Sequence, residues 1–148
     1  SNLPGFRSGC ATGDRKIISS FSKYRMFHGV SVPLPIQNAS VLAWQDDSIV
    51  EKNRKMYEEK FKLAENILEK NSLIPEGAFY LWLKVKNSES FCKKLYDEEQ
   101  VIVLPGKYLG AENDGNNPAE RYLRIALVHD IELTKKALRS IKKVLENE

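Results

Sequence analysis

The hydrophobic positions recur at helical spacing up to about Asn71 and alternate over Ala78 to Val85, so the chain reads as helices followed by a mixed region. In "RKIISSFSKYRMF", Ile17, Phe21, Tyr24 and Phe27 share one helical face behind Asp14, whose carboxylate can cap the first amides, and Gly29 ends that helix. The stretch "VSVPLPIQ" carries two prolines, which makes it an extended passage or the lead-in to a helix, and "NASVLAWQD" continues as a short one. Ser48 and Glu51 have the spacing of a capping box. Behind them Ile49, Asn53, Met56, Tyr57, Lys60, Phe61, Ala64, Ile67 and Leu68 mark the stripe of one long helix. It ends near Asn71, with Pro75, Glu76 and Gly77 as its stop.

The period then changes to two. "AFYLWLKV" puts Phe79, Leu81, Leu83 and Val85 on one face and Ala78, Tyr80, Trp82 and Lys84 on the other, which predicts a strand. Ser88 opens a helix carrying Phe91, Cys92, Leu95 and Tyr96. "VIVL" predicts a short buried strand, and Pro105-Gly106 breaks it. Residues 105–119 form a polar loop rich in Gly and Asn, longer than the usual connection of about 4–6 residues, and such loops are often functional or mobile. "RYLRIALV" is a further strand, and Asp130 caps a final helix with Leu133, Ala137, Leu138, Ile141 and Leu145 inward. The order is helix, helix, long helix, then β-α-β-β-α. It predicts an α/β fold whose part from about residue 74 is βαβ-like, a small sheet covered by helices on one face.

Composition changes this picture little. A chain of 148 residues, 42% hydrophobic and 29% charged, is one ordinary domain or one with an appendage, and collagen-like, low-complexity and mostly disordered classes are excluded. Its longest apolar runs, "AFYLWL" and "IALV", fall far short of the roughly 20 residues that span a bilayer, so no membrane partner is expected. The net charge of +3 comes from 23 basic and 20 acidic residues interspersed along the chain, which does not point to nucleic acid. Cys10 and Cys92 stand far apart and the two His lack neighbouring Cys, so no metal site is expected. Isolated thiols suit a reducing cytoplasm. No leader is expected at the start, and there is no internal repeat. "SNLPGFRSGCATGD" begins without Met, as though an element were cut just upstream, and reads as the opening of a fragment, although Ser1-Asn2 also has the look of a purification scar.

Few residues stand out for chemistry. Arg7 sits between glycines in "PGFRSG", where it is either a plain turn arginine or a phosphate ligand, its guanidinium fork matching phosphate oxygens. Arg124 lies mid-strand between Leu123 and Ile125, either on a solvated face or as a carboxylate clamp. His28, at a helix end, reads first as a dipole-compensating residue. Tyr80 and Trp82 line a pocket or fill core. The Lys-rich final helix is a solvated face with an apolar stripe, and no Ser-His-Asp set, Walker loop or paired-carboxylate spacing is present.

Four motifs in order resemble the C-terminal part of a class I/II, fold-type-I pyridoxal-phosphate aminotransferase. "SNLPGFRSG" is similar to the end of the family's S-x-x-K-R-S-N-x-x-G-x-R-x-G, "PEGAFYLWL" to P-x-G-x-F-Y-x-W, "VLPGKYLG" to P-G-x-x-[FL]-G, and "YLRIALV" to the strand that carries the substrate arginine. The resemblance implies the small C-terminal domain of the pyridoxal-phosphate transferase fold. Residues 1–46 would be a remnant of the large cofactor-binding domain, and residues 47–148 the small domain with its long linking helix. It implies pyridoxal 5′-phosphate as cofactor, Arg7 on its phosphate and Arg124 on the substrate α-carboxylate. The lysine that bonds the cofactor would lie just upstream of Ser1, so the chain holds no catalytic residue and is inactive alone.

"YRMFHG" and "ASVLAWQD" are similar to bacterial N-succinyldiaminopimelate aminotransferases of lysine biosynthesis. That implies N-succinyl-LL-2,6-diaminopimelate as amino donor, 2-oxoglutarate as the 2-oxo acid, a cytoplasmic homodimer, and Arg25 and His28 near the neighbouring subunit's site, where the substrate's distal end is held. Arg121 and the long loop after "VLPGKYLG" depart from the family pattern. The alternatives are an aspartate- or aromatic-type class I aminotransferase, or a stand-alone small α/β binding module with both arginines as surface residues.

Overall fold

The computed structural model describes residues 3–29, 31–69 and 72–148. The chain divides into two compact units, Ser1–Arg54 and Lys55–Glu148. In the first, a 3₁₀ turn at Pro4–Phe6 precedes helix α1, Arg15–Phe27, and Asp14 caps it as expected, its Oδ1 accepting the Lys16 and Ile17 amides at 2.9 and 3.1 Å. Helix α2 spans Leu34–Gln45. The two-proline stretch is therefore the lead-in: Pro35 sits in the first turn, where its missing N–H has no intrahelical partner to lose.

Helix α3, Asp47–Leu68, starts differently from the expectation. Asp46, and not Ser48, makes the side-chain bonds at its start: the Asp46 carboxylate accepts both the Ser48 amide at 3.0 Å and the Ser48 hydroxyl at 2.5 Å. A second carboxylate at Glu51 is then not needed to complete a box, and the hydrogen bonds from Ser48 hold the Asp46 carboxyl below its ordinary range. Among the described residues of 1–54 no hydrophobic side chain is buried. Ile17, Met26, Phe27, Leu34, Leu42 and Trp44 are each at least 62% exposed.

The second unit holds the sheet. Strands β1 (Ser72–Leu73), β2 (Tyr80–Lys84), β3 (Leu104–Pro105) and β4 (Tyr122–Ala126) pair antiparallel throughout in the order β1-β2-β4-β3, with helices α4 (Ser88–Glu99) and α5 (Ile131–Leu145) between and after them. Leu81 and Leu83 of β2 and Leu123 and Ile125 of β4 face Ala64 and Leu68 of α3, Phe91 and Leu95 of α4, and Leu138, Ile141 and Val144 of α5 in one core. This is the expected α/β arrangement of a small sheet with helices on one face.

Three details correct the sequence reading. The pairing is antiparallel, so the region is not a parallel βαβ unit, and β1 was not anticipated because two residues carry no periodicity. Of "VIVL" only Leu104 pairs, together with Pro105, and Ile102 is 83% exposed. A short apolar run does not by itself say whether it is buried, and Pro105 is tolerated because β3 is an edge strand. On α5 the buried set is Thr134, Leu138, Ile141 and Val144; Leu133 is exposed. Helix α3 ends at Leu68, and Asn71, near which its end is expected, lies outside the described residues, whereas Pro75, Glu76 and Gly77 lie beyond the helix. No described helix is long and apolar enough to cross a membrane.

Candidate functional site

Alternation along β4 sends Leu123 and Ile125 into the core and leaves Tyr122 and Arg124 on the opposite face of the sheet. Arg124 stands opposite Trp82 on β2 and Leu104 on β3. Its guanidinium carbon lies 5.3 Å from the centre of the Tyr80 ring, a cation–π distance, and Trp82 meets Tyr122 edge-on at 6.3 Å. Arg124 Nε is buried and has no hydrogen-bond partner among the described residues, and no carboxylate there pairs with it. A buried donor without an acceptor is costly, and a charged one more so. An oxyanion from outside the chain would satisfy it. Tyr80 and Trp82, half-buried on the face away from the core, form the wall beside the cation.

Close packing sets the rim of this face. A Cβ on Gly106 would sit 2.3 Å from the Ala119 carbonyl, 2.5 Å from that of Tyr122 and 3.0 Å from the Trp82 ring, so only glycine lets the turn lie against the start of β4. The Gly- and Asn-rich loop is bonded to itself. Asn117 Nδ2 donates to the Lys107 and Gly110 carbonyls, Asn113 and Asn116 pair across Asp114 and Gly115, both at positive φ, and Glu89 accepts from Lys107 Nζ at 2.6 Å and from the Tyr108 hydroxyl at 2.5 Å. Arg121 is exposed and its carbonyl accepts the Val85 amide at 2.9 Å.

Arg7 belongs to the other unit. It closes the 3₁₀ turn in the left-handed region, φ 50° and ψ 28°, with its amide donating to Pro4 at 3.2 Å. A non-glycine residue there is uncommon and strained. Its side chain is exposed, and the flanking Gly5 and Gly9 would meet nothing within 4 Å if they carried a Cβ. The fork of an exposed guanidinium is open to phosphate oxygens, although the Phe6 and Arg7 amides are taken up within the turn.

Arg25 and His28 come together at the end of α1. The His28 ring stacks on Tyr24 at 4.3 Å, and Arg25 Nη1 donates to the His28 carbonyl at 3.4 Å. A Cβ on Gly29 would lie 2.2 Å from Arg25 Nη1, so glycine at this position makes room for the folded-back guanidinium. Arg25, in the last turn of α1, also suits the helix dipole. Sequence alone leaves Tyr80 and Trp82 open between pocket and core; their period-two alternation with Leu81 and Leu83 is the signal for their face.

The family profile for "Aminotransferase class I and II" matches residues 1–141. A structure of aminotransferase AspB from Helicobacter pylori is 40% identical with a TM-score of 0.84, covering all of this chain and 38% of that one. An aminotransferase from Neisseria meningitidis is 38% identical, also with a TM-score of 0.84, covering 98% of this chain and 38% of that one. An LL-diaminopimelate aminotransferase from Aquifex aeolicus is 30% identical over 95% of this chain and 37% of its own length. The chain thus spans under two-fifths of the length of each of these three relatives.

Proposed function

The chain belongs to the class I and II aminotransferases, a pyridoxal-phosphate-dependent family, and on that premise we propose that it is the C-terminal part of a transaminase moving an amino group between an amino acid and 2-oxoglutarate. In this reading residues 1–46 are the remnant of the large cofactor-binding domain and residues 47–148 the small domain with its linking helix. The intact enzyme is a cytoplasmic homodimer. The observation that carries the reading is Arg124: a guanidinium on an aromatic-walled strand face, with a buried Nε lacking a partner among the described residues.

Pyridoxal phosphate, when bound, supplies the electron sink for the reaction. Arg7 would hold its phosphate. Arg124 would take the α-carboxylate of the amino acid or oxo acid in a charge-assisted bidentate pair, which orients the substrate and removes rotational freedom before reaction. Tyr80 and Trp82 beside it exclude water and raise the strength of that pair. The lysine that bonds the cofactor and moves the proton would stand just upstream of Ser1, so these residues bind and orient without carrying out the proton transfer.

For the donor we propose N-succinyl-LL-2,6-diaminopimelate. The support is the "YRMFHG" and "ASVLAWQD" stretches and the nearness of Arg25 to His28, whose backbone carbonyl its guanidinium reaches, at the end of α1, where the substrate's distal carboxylates would lie near the partner subunit's site. A second reading, an aspartate-type donor, is favoured by similarity to an aspartate aminotransferase from Pyrococcus abyssi, 29% identical over 97% of this chain. A donor panel on the full-length protein at fixed 2-oxoglutarate separates them. The succinylated donor should lead in kcat/KM; aspartate ahead by tenfold, about 1.4 kcal/mol, would establish the second reading.

A further inference from the structure

Among the described residues Lys60 is the one charged side chain in the buried set, 2% exposed. A buried ammonium is costly unless it is partnered. Lys60 Nζ donates to the Leu127 carbonyl at 2.9 Å and lies 5.3 Å from the centre of the Tyr57 ring. Leu127 follows the last residue of β4, and its own amide donates to the Phe79 carbonyl at 2.8 Å. The Phe79 ring in turn meets Tyr57 at 6.4 Å, so the contacts close a circuit from α3 to the end of β4, to the start of β2, and back. Burial pulls the Lys60 ammonium below the ordinary lysine range, and the Asp130 carboxylate opposes that shift.

The circuit reaches Arg124 twice. Along the backbone, Leu127 lies three residues beyond it on the same strand end. Through the rings, Phe79 meets Tyr80 edge-on at 5.3 Å, and the Tyr80 ring is 5.3 Å from the Arg124 guanidinium carbon. We propose that Lys60 is a positioning residue: by pinning the end of β4 to α3 and bracing the Tyr57, Phe79 and Tyr80 rings, it sets where the Arg124 guanidinium lies and how tightly it holds a carboxylate. This rests on the reading of Arg124 as the carboxylate ligand. Its physical basis is that a bidentate pair is unforgiving of displacement, with about 1 Å enough to cost on the order of 10²-fold. A lysine that only filled core would change stability and leave affinity alone.

The experiment is a double-mutant cycle in the full-length protein, read by calorimetric titration of 2-oxoglutarate without amino donor and by KM for several donors. Lys60→Met keeps the unbranched stem and removes the donor and charge. It should weaken 2-oxoglutarate binding about tenfold, some 1.4 kcal/mol, raise KM for every donor alike, and leave cofactor content unchanged. Lys60→Arg, which keeps a cationic donor, should recover most of the loss. In an Arg124→Ala background Lys60→Met should cost nothing further, since coupled residues are non-additive. An equal loss with and without Arg124 overturns the proposal, as does full affinity in Lys60→Met. Full affinity in Arg124→Ala alone removes the carboxylate reading itself, a distinguishable result. Should Lys60→Met not fold, Tyr57→Leu carries the same cycle: a loss of about threefold that vanishes without Arg124 supports the proposal, and one that persists overturns it.

Discussion

In residues 55–148 the side chains of Leu81, Leu83, Leu95, Leu123, Leu138 and Ile141 are sealed from solvent, whereas in residues 1–54 Ile17, Phe21 and Tyr24 of α1 and Leu42 and Trp44 of α2 are exposed. Ile17, Phe21 and Tyr24 recur as regularly as Leu138 and Ile141, yet a helix buries its stripe only if its unit supplies an opposing surface. The two arginines differ in the same way. Arg124 is aimed by a strand whose other face is locked in a core, while Arg7 is set by a strained turn in a unit without buried apolar side chains among its described residues. Apolar faces of that extent favour association.

The sharpest break between the two regions is chemical. The chain alone, incubated with pyridoxal phosphate, amino donor and 2-oxoglutarate, should show no transaminase turnover, because the lysine that bonds the cofactor would lie upstream. Turnover with a single reducible adduct on one of its own lysines would show that no upstream element is needed. In the full-length protein, Arg124→Ala should lower kcat/KM for every donor by about 2–5 kcal/mol or more, as expected when one partner of a buried charge pair is removed. Arg7→Ala should instead weaken cofactor retention, seen as lost absorbance on dialysis. Wild-type kinetics and cofactor content in both would return the arginines to ordinary surface residues.

A stability pair sharpens the contrast in the chain itself. Leu83→Ala, at a fully buried position, should cost about 2–5 kcal/mol. Phe27→Ala, at a position 81% exposed, should stay within about 0.5 kcal/mol and reduce self-association instead. Denaturant titration and sedimentation of both variants test this, and a large stability loss in Phe27→Ala would mean that α1 has a packing partner.

How much of this was legible in the sequence follows the same division. Period alone held for Leu81 and Leu83, which share the buried face of β2, but not at the ends of elements, where Phe79 and Leu133 are exposed. Nor did it hold where a residue's fate depends on what lies across space. "VIVL" has strand composition, but only its last residue finds a partner. Ser48 has the spacing of a cap, but Asp46 two residues earlier takes its hydrogen bonds. Lys60 lies on the stripe of α3, and no spacing along the chain points to the carbonyl of Leu127, 67 positions away.

The smallest expected effect concerns the turn beside Arg124. Hydrogen bonds from Lys107 and then Tyr108 hold the Glu89 carboxyl below its ordinary range, and the same bonds raise the Lys107 ammonium and the Tyr108 phenol above theirs. The signs are opposite. A depressed carboxyl contributes stability that is present above the ordinary carboxylate range and lost as pH falls through the folded value. A raised lysine or tyrosine contributes stability that is present below its ordinary range and lost as pH rises through the folded value. The cluster therefore stabilises across a neutral plateau with a limb on each side, and because its members are exposed the gain is small. Asp46, its counterpart in residues 1–54, is held down only by serine and backbone bonds and has an acid limb alone. In melting curves taken across pH, Glu89→Gln should melt slightly below the wild-type chain at neutrality and converge with it at both extremes, whereas Asp46→Asn should converge only in acid. A constant gap for Glu89→Gln at every pH would mean that shape, and not charge, is what Glu89 contributes to the turn.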